Sequence, residues 1–141
     1  KPDIGALASK IAAKIYGLKV LSEKIQDNKN NTTRFLIMEK KPKNFIKKQK
    51  KVITSILFQV RNIPAALYKG MGGFATNNVN MIKLESYMLG GSFKATQFFA
   101  DIEGHPEDDT VKRAIEELLY FTTKLEIIGV YKQHSFRYNY Q

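Results

Sequence analysis

The clearest apolar pattern runs from Val52 to Ser86 and reads as a strand, a tight turn, a helix and a second strand. Val52, Ile53, Ile56, Phe58 and Val60 are the β-branched and aromatic types that suit a half-buried pleated surface, and the run stops at Arg61-Asn62. Pro64 fits the first helical position, where its missing N–H would have had no intrahelical partner. Leu67, Met71, Phe74 and Ala75 then recur at three-to-four-residue spacing, and Asn77-Asn78 supply residues that tolerate left-handed or turn conformations. Val79, Met81, Ile82 and Leu84 open an extended segment ending at Glu85-Ser86. A helix N-terminus with free backbone N–H groups is thereby expected at the end of a strand, a place able to hold a carboxylate.

Downstream, Gly90-Gly91 reads as a turn and Phe93 to Ile102 as a third strand, completing a hairpin. Pro106 with Glu107, Asp108 and Asp109 suits the positive end of a second helix. In that helix Val111, Ile115, Leu118, Leu119 and Thr122 repeat on one side, with Lys112, Arg113, Glu116 and Glu117 on the other. Glu126 to Tyr131 supplies a last strand, and Gln133 to Gln141 is read as an exposed tail. The order from Val52 is βαββαβ, an α+β class, ferredoxin-like arrangement with two helices on one face of a four-stranded antiparallel sheet. Gly72 and Gly73 in the first helix each cost roughly 1 kcal/mol relative to alanine, which predicts close packing of that helix on the sheet. Phe98 and Phe99 point to opposite sheet faces, so one is expected in the core.

Upstream the pattern is weaker. Ile4 to Gly17 reads as a helix with Ile11, Ala12, Ile15 and Tyr16 as a buried stripe and Gly17 as its stop. Leu18 to Leu21 is expected to be extended, Asp27 to Asn31 to turn, and Arg34 to Met38 to form a short strand. Such a segment has little to pack against by itself, which points to part of a larger domain. Pro42 and the lysines around it mark the boundary between this segment and the domain that begins at Val52.

A chain of 141 residues with 43% apolar content suffices for one ordinary domain and a partial second. It has no cysteine, which excludes disulfides and thiolate metal sites and fits a reducing, cytoplasmic setting. His105 and His134 lack ligand spacing, so neither a metal site nor any cofactor is expected. No apolar run approaches the roughly 18 to 20 residues that cross a bilayer, and no signal peptide is read at Lys1. The net charge of +10 is concentrated, with seven lysines between Lys40 and Lys51. That run reads as a solvated linker or as a basic patch for an anionic partner.

Two motifs carry a resemblance. Pro64-Ala65-Ala66-Leu67, followed by Asn80 and then Glu85-Ser86, resembles the effector-binding region of the ACT domain of prephenate dehydratases. Asn30-Asn31-Thr32-Thr33-Arg34-Phe35 resembles the Thr-Arg-Phe signature near the end of that enzyme's catalytic domain. The resemblance implies a C-terminal piece of such an enzyme. Residues 1–39 would close the catalytic domain, 40–51 form a basic linker, 52–132 an ACT regulatory domain, and 133–141 a tail. It also implies the conversion of prephenate to phenylpyruvate, water and carbon dioxide, and feedback by L-phenylalanine on a homodimer or higher homo-oligomer. No nucleic-acid or membrane partner is implied.

Thr33 matches the position of a catalytic donor, since a ring hydroxyl must leave as the ring aromatises and a threonine hydroxyl can donate a hydrogen bond to it. Arg34 either holds a substrate carboxylate or orients the loop. Read without the resemblance, the same hydroxyls satisfy turn backbone groups and Arg34 opens a strand. For the effector the resemblance implies Asn62, Ala65, Ala66, Leu67, Asn80, Met81, Glu85 and Ser86, with Ala65 to Leu67 from one subunit and Asn80 from the other. The chain departs from the family where Ala65 replaces the glycine before Ala-Leu and Tyr87-Met88 replaces Arg-Pro. Alanine can offer its N–H there if its φ is negative, while its methyl narrows the approach. Otherwise the turn is a plain helix start. Two further readings are a non-catalytic amino-acid-sensing ACT module and an RNA-binding ferredoxin-like domain. Against the latter, Ser92 to Phe99 lacks the basic-Gly-aromatic pattern of RNA-binding third strands.

Overall fold

The computed structural model describes residues 3–28, 32–40, 51–90 and 95–140, which fall into two compact units, Lys1–Met38 and Glu39–Gln141. The Asn30-Asn31 half of the Thr-Arg-Phe motif, the segment 41–50 of the lysine run, and the start of the expected third strand lie outside the described residues.

In the first unit the helix is shorter than its pattern suggests. Helix α1 spans Lys10–Ile15, not Ile4 to Gly17. Ser9 is extended at its N-cap and its hydroxyl oxygen accepts the Ala12 N–H at 3.1 Å, so the helix starts where a side chain can satisfy a first-turn donor. The expected stop is present: Gly17 has φ +63°, and Leu18 N–H donates to the Ala13 carbonyl at 2.9 Å, closing a Schellman turn. The expected stripe is not buried, because Ile11, Ile15 and Tyr16 are all at least 70% exposed. One and a half turns of helix bring too few apolar neighbours together to cover it. Leu18 to Leu21 and Arg34 to Met38 form no strand.

The second unit is a four-stranded antiparallel sheet with two helices. Its elements are β1 (Val52–Val60), α2 (Ala66–Thr76), β2 (Met81–Met88), β3 (Ala95–Glu103), α3 (Asp109–Leu119) and β4 (Thr122–Lys132), in the strand order β2-β3-β1-β4. This is the expected βαββαβ order. Alternate residues of β1 and β3 meet the helices: Ile56, Phe58, Phe98, Ala100 and Ile102 pack with Phe74 of α2 and Val111, Ala114 and Leu118 of α3. Phe58 and Phe98 are direct cross-strand partners with stacked rings 5.5 Å apart, a pair worth about 0.5–1.5 kcal/mol beyond its buried area. Phe99 lies on the other face, beneath the Lys83 ammonium at 5.3 Å.

That other face holds a polar cluster. Asp101 is fully buried in β3, opposite Ser55 of β1, and accepts hydrogen bonds from the Ser55 hydroxyl and, at 3.4 Å, from the Tyr131 hydroxyl of β4. A buried carboxylate requires such donors, and here they tie three strands together. After β4 the chain is not a wholly exposed tail. Gln133 is buried and its N–H donates to the Lys51 carbonyl at 2.8 Å, after which Ser135–Tyr140 form a 3-10 helix.

Gly70 and Gly73 of α2 pack against a helix rather than the sheet. A Cβ at Gly70 would lie 2.7 Å from Leu118 Cδ1, and one at Gly73 2.7 Å from Glu117 Cβ and 3.3 Å from the Ala114 carbonyl oxygen. Gly72 faces open space. Gly73→Ala should therefore lower the unfolding free energy by about 1–3 kcal/mol through overpacking, whereas Gly72→Ala should raise it by up to about 1 kcal/mol. Urea unfolding of the two variants checks this, and equal shifts in both would contradict the packing.

Candidate functional site

The turn from β1 into α2 differs from the expected helix start. Pro64 is not the first helical residue. It occupies, with Ala65, the corners of a turn closed by the Ala66 N–H to the Ile63 carbonyl at 3.2 Å, and the helix begins at Ala66. Ala65 has φ 58° and ψ 25°, not the negative φ under which an alanine N–H is expected to serve. The second corner of a turn of this kind calls for a left-handed residue, and glycine is the one that adopts it without a Cβ penalty. The flanking chain holds alanine there: Arg61 N–H bonds the Phe121 carbonyl at 2.8 Å, and the Ala65 carbonyl accepts the first helical bond from Lys69 N–H at 2.9 Å.

No side chain caps α2. Leu67 and Tyr68, in its first turn, have N–H groups with no intrahelical acceptor, as at any helix start. Asn62 and Ala65 are exposed, Leu67 is half-buried, and Ala66 is buried. The positive end of an eleven-residue helix thus meets solvent beside the end of β1, an arrangement suited to a carboxylate.

The other effector candidates lie elsewhere. Asn80 and Met81 sit at the start of β2, with the Asn80 amide donating to Glu103 at 3.1 Å and the Asn80 carbonyl accepting the Glu103 N–H at 2.9 Å. Register places Met81 beside Ile102, and Ile102 beside Thr54 near the beginning of β1. Ala65 to Leu67 follow the far end of β1, so roughly 20 Å of strand separates the two groups within one chain. Glu85 and Ser86 lie between, opposite Phe99 and Phe98. Glu85 is occupied: Lys83 approaches one carboxylate oxygen at 3.0 Å, and the Tyr87 hydroxyl donates to the other at 2.8 Å. That hydrogen bond, then desolvation, then the nearby negative charge raise the Tyr87 pKa above the ordinary phenol value. Tyr87 therefore engages Glu85 where the resembled pattern has arginine.

Thr33 and Arg34 lie in the first unit, exposed and outside any helix or strand. His105 is buried and its Nδ1 accepts the Glu107 N–H at 3.1 Å, while His134 Nδ1 accepts the Phe136 N–H at 3.2 Å. Among the described residues no group of three or more His, Cys, Asp or Glu could hold a metal ion, and no helix is long and apolar enough to cross a membrane.

Similarity to known proteins extends across both units. A family model described as prephenate dehydratase matches residues 1–43. The prephenate dehydratase of Methanocaldococcus jannaschii is 35% identical over 129 residues, covering 91% of this chain and 46% of that protein. The chain is a prephenate dehydratase-related region. A bifunctional N-acyl-homoserine lactone acylase/prephenate dehydratase of Komagataeibacter europaeus is 48% identical over 137 residues, 97% of this region and 48% of that protein. A solved structure described as GqqA, a novel type of quorum quenching acylase, superposes with TM-score 0.83 at 48% identity over 92% of this region and 47% of that chain. A prephenate dehydratase from Arthrobacter aurescens in complex with L-Phe shares the fold at TM-score 0.58, with 24% identity over 65% of this region and 30% of that chain. The prephenate dehydratase-related region spans about half the length, or less, of the curated relatives it matches.

The left-handed Ala65 yields a stability prediction. Ala65→Gly removes a Cβ penalty of about 1 kcal/mol and should raise the unfolding free energy by that order in urea unfolding. An unchanged or lowered stability would mean that Ala65 is not held left-handed.

Proposed function

We propose that this region is the C-terminal part of a prephenate dehydratase whose second unit is an ACT domain binding L-phenylalanine. In this reading residues 1–39 close the catalytic domain, 40–51 link it, 52–132 form the regulatory domain, and 133–141 follow as a tail. The observation that carries the proposal is that relatives 35% to 48% identical, named prephenate dehydratases wholly or in part, match across both units.

In the whole enzyme the Thr33 hydroxyl donates to the ring hydroxyl of prephenate as that group departs, and Arg34 holds a substrate carboxylate. Both are residues of the family-matched segment. The ring becomes aromatic as carbon dioxide and the hydroxyl leave, so stabilising the departing oxygen lowers the barrier. No cofactor or nucleic acid enters this scheme, and the setting is cytoplasmic. L-phenylalanine places its carboxylate against the Leu67 and Tyr68 N–H groups. Asn80 of a second copy, with Met81, Glu85 and Ser86, completes the pocket in a homodimer. The separation of these two groups within one chain supports a two-chain pocket.

Full-length protein carrying Thr33→Ala should keep its fold while kcat for phenylpyruvate formation falls by about tenfold or more. Unchanged kcat removes Thr33 from the reaction. Calorimetry should show L-phenylalanine binding to the 141-residue chain and D-phenylalanine binding at least about tenfold more weakly. No heat with either enantiomer contradicts the regulatory half of the proposal.

A second reading rests on the relative named acylase as well as dehydratase, at 48% identity. In it the whole protein also hydrolyses the amide of N-acyl-homoserine lactones, releasing the acyl chain as a carboxylate. Incubating full-length protein with such a lactone and with prephenate separates the two: release of the free acyl carboxylate together with phenylpyruvate supports this second reading, and phenylpyruvate alone supports the dehydratase reading.

A further inference from the structure

A surface depression lies where the end of β1 meets the end of α3. Arg61, Glu116, Leu119 and Tyr120 line this wide, open depression of about 390 Å³. Arg61 is held from two sides. Its backbone N–H donates to the Phe121 carbonyl at 2.8 Å and its Nε to the Thr122 carbonyl at 3.3 Å. The Nε contact orients the guanidinium, and its two Nη groups have no partner among the described residues. The Glu116 carboxylate lines the same depression and is likewise unpaired among the described residues, and the two side chains do not bond each other. Leu119 is 47% and Tyr120 74% exposed, an apolar pair beside two unpaired opposite charges.

We propose that this depression binds a free α-amino acid with an apolar or aromatic side chain. Its carboxylate takes the Arg61 Nη groups in the planar geometry guanidinium favours. Its ammonium takes Glu116, and its side chain lies against Leu119 and the Tyr120 ring. A zwitterion satisfies both charges at once, which neither a simple anion nor a simple cation does. Because both charges are solvent-exposed, each contributes modestly and the site is of millimolar strength.

Amide correlation spectra of the 141-residue chain titrated with L-phenylalanine, phenylacetate and phenethylamine test this. The expected result is saturable movement of the Arg61, Glu116, Leu119 and Tyr120 amides and of the Arg61 Nε–H with L-phenylalanine. The two analogues should bind there about threefold to fivefold more weakly, because each lacks one charge. Glu116→Gln, on an exposed face, should weaken L-phenylalanine at these residues by a similar factor and leave the Leu67 and Tyr68 amides responding as before. No movement at these residues, phenylacetate equal to L-phenylalanine, or Glu116→Gln equal to wild type overturns the site. The Leu67 and Tyr68 amides report separately on the effector pocket, so failure of one site is distinguishable from failure of the other.

Discussion

The second unit depends on how closely α2 can approach α3. Gly70 and Gly73 let the backbone of one helix come against Leu118 and Glu117 of the other, at distances no Cβ would allow. Polar groups close the same seam: the Asn77 amide donates to the Gly73 carbonyl and to Glu117, both at 2.8 Å, and the Thr76 hydroxyl lies 3.5 Å from Glu117. With its C-terminal half clamped in this way, α2 has one position on the Phe58–Phe98 layer, and the place where its N-terminus emerges is fixed. The turn that reaches it from β1 must then be tight, which places Ala65 in a left-handed conformation that alanine resists.

The two units carry different chemistry. The hydroxyl and guanidinium proposed for catalysis lie in Lys1–Met38, while the uncapped helix end and the β2 residues lie in Glu39–Gln141. Regulation of one by the other requires that an effector bind one arrangement of the whole protein better than another, since equal affinity for both shifts nothing. Ala65 and Tyr87, where the chain departs from the resembled pattern, both lie in the second unit. Tyr87 keeps Glu85 engaged within its own strand.

Much of the second unit is legible from local pattern. Val52–Val60 is bounded by its residue types, and the βαββαβ order follows from periods of two and 3.6. The helix start is not legible in the same way, because Pro64 fits two positions, the first helical residue and a turn corner, and only the backbone φ of Ala65 separates them. The glycine contacts are legible in principle: Ala66, Gly70 and Gly73 repeat at helical spacing with Phe74 on the buried side, while Gly72 does not. Asp101 gives no local signal because its donors, Ser55 and Tyr131, are 46 and 30 residues away. In the candidate site, sequence order places Asn80 soon after Ala65, yet strand register carries it to the other end of the sheet. In the first unit, periodicity at Ile11 and Ile15 says which side of a helix is apolar and not whether anything covers it, so the stripe it marks is exposed.

The regulatory role proposed for the second unit turns on whether the N-terminus of α2 receives the carboxylate of L-phenylalanine. The most direct test is a crystal structure of the chain grown with saturating L-phenylalanine. The ligand should lie at the Ile63–Leu67 turn, its carboxylate oxygens within hydrogen-bonding distance of the Leu67 and Tyr68 N–H groups. An empty turn at saturation, or the amino acid bound with its carboxylate elsewhere, would contradict that role.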